Sequence, residues 1–402
     1  MSTGKSALPP HPPGDEPVPV PIWETWFSAY PHATYCAMRE HQGSLVPVEI
    51  APGVEADLVL DHEIARLILP DDDHYRVDPR RWQDSVASDC PALPVLSWRP
   101  DALRSDSTEH TRYRRAVTDS LKDIDQYALS RMAETTAKAL INQFCTAGAA
   151  DLLHEYAIPL TVTVLDSVLG LAPAPAQQAF TATAALYDSL DPAAAHQLLI
   201  EAMQEAVEIK RTHRGADVAT SLLAHPSDLS TVEVAHTLAM LYSLGTELTW
   251  NLICITLAET ITADLAAQPL STRELIDEAL FNNPPLAIAN PRFPRGIQPL
   301  PSMTLQPHRP VLISLAAANQ SVQGDRTGNR SHLGWGAGPH ECPAQSEALL
   351  IAGEGVSQLI DALPEIALAI PADQLQWRPN PFRRALKAFP VTFPPSPPLP
   401  LT

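Results

Sequence analysis

Apolar residues recur with a helical period along most of the chain. Matches to the spacing of a buried helix face lie at 22–39, 63–69, 107–121, 127–144, 151–169, 230–265, 271–280 and 346–359. Alternation replaces this period before a Pro52-Gly53 turn, where the apolar residues are two positions apart. Such alternation around a turn predicts a β-hairpin over 44–60. The pattern therefore predicts a mainly helical fold with a small β region.

The longest predicted helix lies in the second half of the chain. Ser230 and Glu233 form a capping box, apolar residues continue to Leu265, and Pro269 then ends the helix. A helix of about 35 residues is roughly 50 Å long. Few helices of globular proteins reach this length, so it is a distinguishing feature of the chain.

Composition narrows the class of protein. With 45% hydrophobic and 18% charged residues among 402, the chain can build a large core and is not disordered. A net charge of −19 argues against nucleic-acid and anionic-membrane partners. Five scattered cysteines indicate reduced thiols, and no N-terminal signal or long apolar run is recognised. We expect a cytoplasmic protein with a Pro-rich tail over 1–21 and a single domain over 22–402.

One stretch carries chemistry, the octapeptide Trp-Gly-Ala-Gly-Pro-His-Glu-Cys at 335–342. Its glycines permit tight turns and close approach of the backbone. Pro343 suits the first turn of a helix, so we expect Cys342 at a helix N-terminus, where the macrodipole lowers a thiol's pKa. Such a thiolate suits an axial metal ligand. Two alternatives remain: a Gly-rich turn with a buried cysteine, and a zinc site with His332 and His340.

The octapeptide resembles the cysteine-ligand loop of the cytochromes P450, the haem-thiolate monooxygenases. That loop reads Phe-Gly-x-Gly-x-His-x-Cys; here Trp335 replaces the Phe, and Ala344 replaces a later Gly. The resemblance extends over about 22–393. It implies a mainly α fold with a long central I helix and haem b between the I and L helices. Cys342 would be the axial ligand, and Trp335 would pack beside the sulfur with its indole N–H as a donor.

Basic residues at two other places, and one in the octapeptide itself, suit the haem propionates. His110 and Arg114 are four apart and share one helix face, which resembles the family's C helix; the alternative is a solvated basic face. Arg292 lies in Asn-Pro-Arg-Phe, which resembles a propionate-binding strand; the alternative is a surface arginine. His340 of the octapeptide is the fourth candidate. The resemblance also makes 175–212 the lid helices and 375–378 and 388–393 the closing strands.

The middle of the long helix resembles the family's Ala-Gly-x-acid-Thr pattern, in which acid and Thr deliver protons during dioxygen activation. Gly245 and Glu247 match, whereas Leu244 replaces the Ala and Leu248 replaces the Thr. Thr249 is one position on, about 100° round the helix, and could substitute only through a helix bulge. Glu247 and Thr249 are the candidate catalytic residues. The alternative for Glu247 is a helix glutamate paired elsewhere.

A second departure concerns the family's Glu-x-x-Arg ion pair. Glu278 matches the acid, but Phe281 stands where the arginine belongs. A buried carboxylate without a partner is costly. We therefore expect Glu278 to find Arg326 or Arg330, or to be partly exposed.

The resemblance implies a monooxygenase. It would use O2 and electrons from ferredoxin and ferredoxin reductase to oxidise a small apolar organic substrate in secondary metabolism. The two departures favour an alternative, a haem-binding P450-like protein that is regulatory, partner-binding or peroxide-driven. A third reading is a scaffold that has lost its haem.

Overall fold

A computed structural model describes residues 18–188, 191–263, 270–300, 304–322, 324 and 328–401. Most of the predicted tail over 1–21 lies outside these residues, as do the predicted end of the long helix at 264–269 and Arg326. Val20 and Pro21, at the end of the predicted tail, form a strand that pairs with Val48 and Glu49.

Helices account for most of the described chain. They are α1 (Thr25–Ala29), α2 (Pro31–Gln42), α3 (His62–Ile68), α4 (Arg80–Gln83), α5 (Leu93–Leu96), α6 (Ser107–Lys122), α7 (Gln126–Phe144), α8 (Ile158–Leu169), α9 (Pro173–Asp188), α10 (Pro192–Thr212), α11 (Val218–Ala224), α12 (Thr231–Thr262), α13 (Thr272–Asn282), α14 (Leu315–Ser321) and α15 (Gln345–Ala362). The helical periods located α3, α6, α7, α12, α13 and α15 within a few residues, whereas α9 and α10 cover the segment 175–212 that only the family resemblance made helical.

Short strands form small sheets beside the helices. They are β1 (Val20–Pro21), β2 (Leu45–Ala51), β3 (Val54–Val59), β4 (Tyr75–Arg76), β5 (Ala149–Asp151), β6 (Phe293–Pro294), β7 (Gln298–Pro299), β8 (Thr304–Leu305), β9 (Val311–Ile313), β10 (Ala367–Leu368) and β11 (Pro390–Thr392). One sheet has the order β1-β2-β3-β9, and its β2-β3 hairpin is the predicted one. A second sheet has the order β10-β11-β5.

Local capping explains where several helices begin and end. The Ser230 capping box forms as predicted at the start of α12, and a second capping box, at Ser271, begins α13. Gly170 ends α8 in the left-handed region, at φ 77°. Thr108 does not cap α6, which begins after Asp106. The Asp106 carboxylate instead accepts from the backbone N–H groups of Val77 and Asp78, which ties α6 to the loop after β4.

Two predicted helices are interrupted. The segment 22–39 contains α1 and α2, which are separated at Tyr30. The segment 151–169 begins with the end of β5 and a π-helical turn at Leu153–Ala157, and α8 starts only at Ile158. Pro159 lies at the start of α8, where its missing N–H costs no hydrogen bond.

The long helix α12 is the core of the protein. It packs against α8, α10, α13 and α15. By length and composition alone, an 18-residue stretch of α12 could span a membrane. However, 72% of that stretch is buried inside the protein. The apolar character of α12 is therefore accounted for by packing on neighbouring helices.

Candidate active site

The Gly-rich loop before α15 is shaped by two left-handed glycines. Gly336 and Gly338 have φ of 75° and 74°, a region that side chains other than glycine rarely adopt. A Cβ on Gly338 would lie 2.4 Å from the Pro70 Cα, so the loop approaches the end of α3 more closely than any side chain allows. The Cys342 N–H donates to the Trp335 carbonyl at 2.8 Å, which closes the loop around the cysteine.

The environment of Cys342 differs from the predicted helix start. Helix α15 begins at Gln345, with Ala344 as its N-cap, so Cys342 and Pro343 both precede it. Burial raises the pKa of the Cys342 thiol to about 11, although the Ala344 N–H and the Arg114 guanidinium act in the opposite direction. The predicted lowering of this pKa by the helix is therefore wrong for the protein alone, because removal of the sulfur from water outweighs the nearby dipole.

The cysteine lies in a large, mostly apolar cavity, which we call the thiol cleft. It contains about 1350 Å³ of space free of protein atoms. Its walls come from the Gly-rich loop, the middle of α12 and the segment between α13 and β6. They include Val117, Leu241, Gly245, Leu248, Thr249, Leu252, Ala289, Arg292, Trp335, His340 and Cys342.

Four basic side chains meet at the thiol cleft, and we call them the basic cluster. They are His110, Arg114, Arg292 and His340. The two imidazoles stack with centroids 4.0 Å apart. Arg292 is 2% exposed and donates to the Leu69 carbonyl at 2.8 Å. His110 is buried and Arg114 half-buried, so the alternatives of a solvated basic face and a surface arginine are both wrong.

The basic cluster has a strong local field. Burial, together with the positive charge of Arg114 and Arg292, lowers the pKa of His110 to about 4. The same causes lower the pKa of His340 to about 2. Asp72 lies 3.5 Å from Arg292 and 3.6 Å from His340 and offers one balancing charge. Sequence reasoning missed Asp72, since nothing in its local sequence separates it from the neighbouring aspartates.

Several buried ring and guanidinium nitrogens at this cleft lack a hydrogen-bond partner among the described residues. They are the His110 Nε2, His340 Nε2, Arg292 Nε and Trp335 Nε1 atoms. Buried polar groups are almost always hydrogen-bonded in native proteins. An anionic group in the cleft would provide acceptors for the basic cluster, and a soft metal would accept the Cys342 sulfur. The donor set therefore fits a haem, which Cys342 would hold through its iron and the basic cluster would hold through its propionates.

The middle of α12 forms the wall of the thiol cleft above this donor set. A Cβ on Gly245 would lie 3.3 Å from Leu165, so glycine permits close packing of α12 on α8. Leu248 and Thr249 both line the cleft. The helix is continuous through this region, and no bulge brings Thr249 to the place of Leu248. The buried Asn251 amide donates to the Glu247 carbonyl at 2.8 Å, a contact that the sequence did not suggest.

Glu247 is buried and forms an ion pair. Its Oε2 lies 3.0 Å from the Arg383 Nε, with side-chain exposures of 2% and 14%. Arg383 lies in the segment before β11. The backbone N–H of the next residue, Arg384, donates to the Pro285 carbonyl, which holds this segment against the one after α13. Glu247 is thus paired with a residue outside its own helix, as the alternative expected. No local signal identifies Arg383, because it is distant in sequence.

Known proteins resemble the chain over nearly its whole length. No family model matches it. The cytochrome P450 monooxygenase PikC of Streptomyces venezuelae is 28% identical over 91% of this chain and 91% of its own length. Cytochrome P450 107B1 of Saccharopolyspora erythraea is 26% identical over 91% of this chain and 95% of its own. CYP154C4 from Streptomyces sp. W2061 has the same fold, with a TM-score of 0.85 over 94% of this chain and 99% of that one at 24% identity.

The chain resembles these cytochromes P450 over nearly its whole length, which supports its identification as a soluble P450 of the bacterial type. It is an oxidoreductase of the P450 monooxygenase type, with the mainly helical P450 fold and haem as the cofactor implied by its relatives. In P450 terms α12 is the I helix and α15 is the L helix, so the predicted fold class is confirmed.

This P450 replaces the missing Glu-x-x-Arg ion pair with other contacts. Phe281 is fully buried, and its ring meets His332 edge-on at 5.3 Å. Asn319 accepts from the Leu333 N–H at 2.7 Å and donates to the Leu280 carbonyl at 2.9 Å. These contacts connect α13 to the loop before Cys342, which is the connection that the family's arginine makes.

The predicted pairing of Glu278 with Arg330 is wrong, and that with Arg326 falls outside the described residues. Arg330 pairs with Asp277 at 3.1 Å instead, and Arg273 pairs with the same carboxylate at 2.9 Å. Glu278 is half-buried, which agrees with the alternative expectation that it is partly exposed. The neighbouring acid therefore has the ion pairs expected for Glu278, because Asp277 is on the helix face that contacts the loop before Cys342.

The zinc alternative does not hold for the described residues. His332 lies 3.4 Å from Asp277 and packs on Phe281, whereas His340 stacks on His110. The two imidazoles therefore face different neighbours and do not converge on Cys342. Among the described residues, the potential ligands that do converge are Asp72, His110 and His340, which are two members of the basic cluster and the acid beside it.

Proposed function

We propose that this P450 binds haem b through Cys342 and inserts one oxygen atom from O2 into a small, largely apolar substrate. Electrons would come from ferredoxin and ferredoxin reductase. The enzyme would act in the cytoplasm, in secondary metabolism, as one haem domain over 22–402. The observation that carries the proposal is the meeting of Cys342 with the basic cluster in one cleft beneath Gly245 of α12.

Each group of the cleft has a separate part in this proposal. When bound, the haem supplies the iron centre at which dioxygen is activated, and thiolate donation favours O–O cleavage. His110, Arg114, Arg292 and His340 would bind the propionates through their N–H donors. Trp335 would place its indole beside the sulfur and limit access of water. The apolar residues of the cleft would exclude water from the reaction.

Proton delivery is assigned to Glu247 and Thr249. The Glu247 carboxylate would exchange its Arg383 contact for a water on the cleft side and pass protons through the Thr249 hydroxyl. Leu248 offers no hydroxyl, so this route is less direct than an acid followed by a threonine. We therefore expect part of the reducing equivalents to be lost as peroxide or water.

The ligand assignment is tested by Cys342→Ser. The purified, haem-reconstituted variant should lose the absorption typical of the reduced, CO-bound thiolate haem, because a hydroxyl is a poor ligand for iron. Cys36→Ser, which changes an exposed cysteine, is the matched control and should keep the wild-type spectrum. An unchanged spectrum in Cys342→Ser would refute the assignment. A wild-type protein that takes up no haem would refute the proposed function.

A second candidate function is a haem protein that does not hydroxylate. It is favoured by the unbroken α12 and by Leu248 in the cleft. Leu248→Thr separates the two. If proton delivery limits the enzyme, this change should raise the product formed per NADPH in a reconstituted ferredoxin system about 2–10-fold. This is less than the roughly 10²–10⁴-fold of full general acid–base catalysis, because the Thr249 route already supplies some protons. Leu248→Val is the control that changes shape without adding a hydroxyl. If neither the wild type nor either variant forms a product that depends on dioxygen, the second candidate is supported.

A further inference from the structure

A second cavity adjoins the thiol cleft along α12. It contains about 1110 Å³ of space free of protein atoms. Met240, Leu244 and Leu248 line both cavities, so a ligand body that lies over α12 can extend from one into the other. Most of the walls of the second cavity are apolar, which suits an apolar ligand.

One part of this second cavity is basic. His196 of α10 and His236 of α12 face each other with ring centroids 6.0 Å apart. Both ring nitrogens of His196 and the Nδ1 of His236 are buried and lack partners among the described residues. Arg99 and Arg104 line the same cavity. Unpaired buried imidazole nitrogens are costly, which indicates that a ligand completes them.

The described residues around the two histidines include more positive than negative charges. Arg99 and Arg104 are held in place by the Pro94 and Val95 carbonyls, each at 3.0 Å. Asp101, 3.8 Å from Arg104, is the acid among the described residues that line the cavity. A further arginine of the lining, Arg383, is paired with Glu247. Among the described residues of the lining, Arg99, Arg104 and the two histidines thus lie near one carboxylate, and the charges of both arginines act on the histidines.

The charges of the arginines affect the pKa values of the two histidines. Burial and the charges of Arg99 and Arg104 lower the pKa of His196 to about 3 and that of His236 to about 4. Both imidazoles are therefore neutral at pH 7 in the absence of a ligand. A field that opposes a positive charge on these rings favours a negative one beside them.

We propose that the substrate of this P450 is an organic acid whose carboxylate or phosphate lies between His196 and His236, near Arg99 and Arg104, while its apolar body extends along α12 toward Gly245. This inference rests on the proposed function and specifies its substrate class. His236 and Gly245 are nine residues apart, so the anionic group and the oxidised carbon should be separated by about 13 Å. A long, rigid molecule with one charged end suits this arrangement.

Calorimetric titration of the haem-loaded protein at pH 7 tests the inference with three probes of one shape. They are biphenyl-4-carboxylate, biphenyl-4-yl phosphate and the neutral 4-acetylbiphenyl. At least one anion should bind about 10-fold or more tightly than the neutral probe, since charge-assisted hydrogen bonds are roughly twice as strong as neutral ones. The stronger of the two anions identifies the preferred group, and either preference supports the proposal.

Variants then locate the anion. His196→Gln combined with His236→Gln should reduce the advantage of the anion to within about 3-fold, while the affinity for the neutral probe changes little. His213→Gln is the matched control, because this histidine is exposed at the end of the same helix α10. The single His196→Gln variant serves if the double variant does not fold. Retained affinity for the neutral probe shows that the cavity is intact.

The outcomes separate this inference from the proposed function. If the neutral probe binds as tightly as both anions, or if the advantage of the anions persists in the histidine variants, the inference is overturned and the haem assignment stands. If the anions bind preferentially but the protein shows no thiolate-haem spectrum, the proposed monooxygenase activity fails and the anion site stands.

Discussion

The buried ion pair between Glu247 and Arg383 should make a large coupled contribution to stability. The Glu247 Oε2 and Arg383 Nε atoms are 3.0 Å apart, with side-chain exposures of 2% and 14%. At an effective dielectric constant of about 20, unit charges at this distance attract by about 5 kcal/mol, and desolvation offsets part of this. Removal of one partner leaves the other buried and uncompensated, which costs about 3–5 kcal/mol for fully buried pairs. We expect about 3 kcal/mol here, because Arg383 retains some contact with water.

A double-mutant cycle measures this coupling. Arg383→Met, Glu247→Gln and the double variant are compared by urea unfolding of the haem-loaded protein, at constant dependence on denaturant. Each single change should cost about 3 kcal/mol, and the double variant should cost little more than one of them, which gives a coupling energy of about 2–3 kcal/mol.

An ion pair of almost equal length on the surface provides the control. The Arg309 Nη1 and Glu55 Oε2 atoms are 2.9 Å apart, but their side chains are 27% and 54% exposed. The corresponding cycle with Arg309→Met and Glu55→Gln should give less than about 1 kcal/mol, because water screens exposed charges. Equal coupling energies for the two pairs would refute the reasoning, since burial would then make no difference.

Three further predictions concern the helices and the Gly-rich loop. Hydrogen bonds from the Arg112 guanidinium hold the pKa of Glu233 at about 2, below its usual 4.5. The contribution of Glu233 to the free energy of unfolding is therefore full above pH 4.5 and is lost as the pH falls toward 2. Glu233→Gln should therefore lower the melting temperature at pH 7 but not at pH 2; an equal loss at both values contradicts this. Phe281→Arg should destabilise the protein by about 3–5 kcal/mol in urea unfolding, because the ring is fully buried; a more stable variant would show that the family's ion pair can be restored. Gly338→Ala should reduce haem retention in gel filtration more than Gly336→Ala, since both have positive φ but only a Cβ on Gly338 would meet Pro70, at 2.4 Å; equal retention would refute the role of close approach.

Local sequence was sufficient for much of the helical framework. The capping boxes at Ser230 and Ser271 satisfy the first backbone donors of α12 and α13 within a few residues of chain. Gly170 ends α8 for an equally local reason. Periodicity was less informative where a helix is interrupted, as at the π-helical turn before α8, because the apolar face continues across the irregularity.

The site was predicted in part. His110, Arg114, Arg292 and His340 were each named from sequence, and they meet in the thiol cleft. Asp72, in contrast, has no signal in its own segment. Arg383 and Asn319 were missed for the same reason, since their partners Glu247 and Leu280 are distant along the chain.

The amino-acid sequence alone determined the cysteine loop, the long helix and the residue types available for chemistry, because these depend on spacing and on contacts between near neighbours. Only the tertiary structure decided the charge states and partners of those residues. Burial raises the pKa of Cys342 against the expectation from its helix, Asp277 rather than Glu278 takes the available arginines, and two histidines from α10 and α12 meet in one basic cavity. Desolvation and Coulomb interactions depend on distance in space, and elements far apart in sequence set that distance.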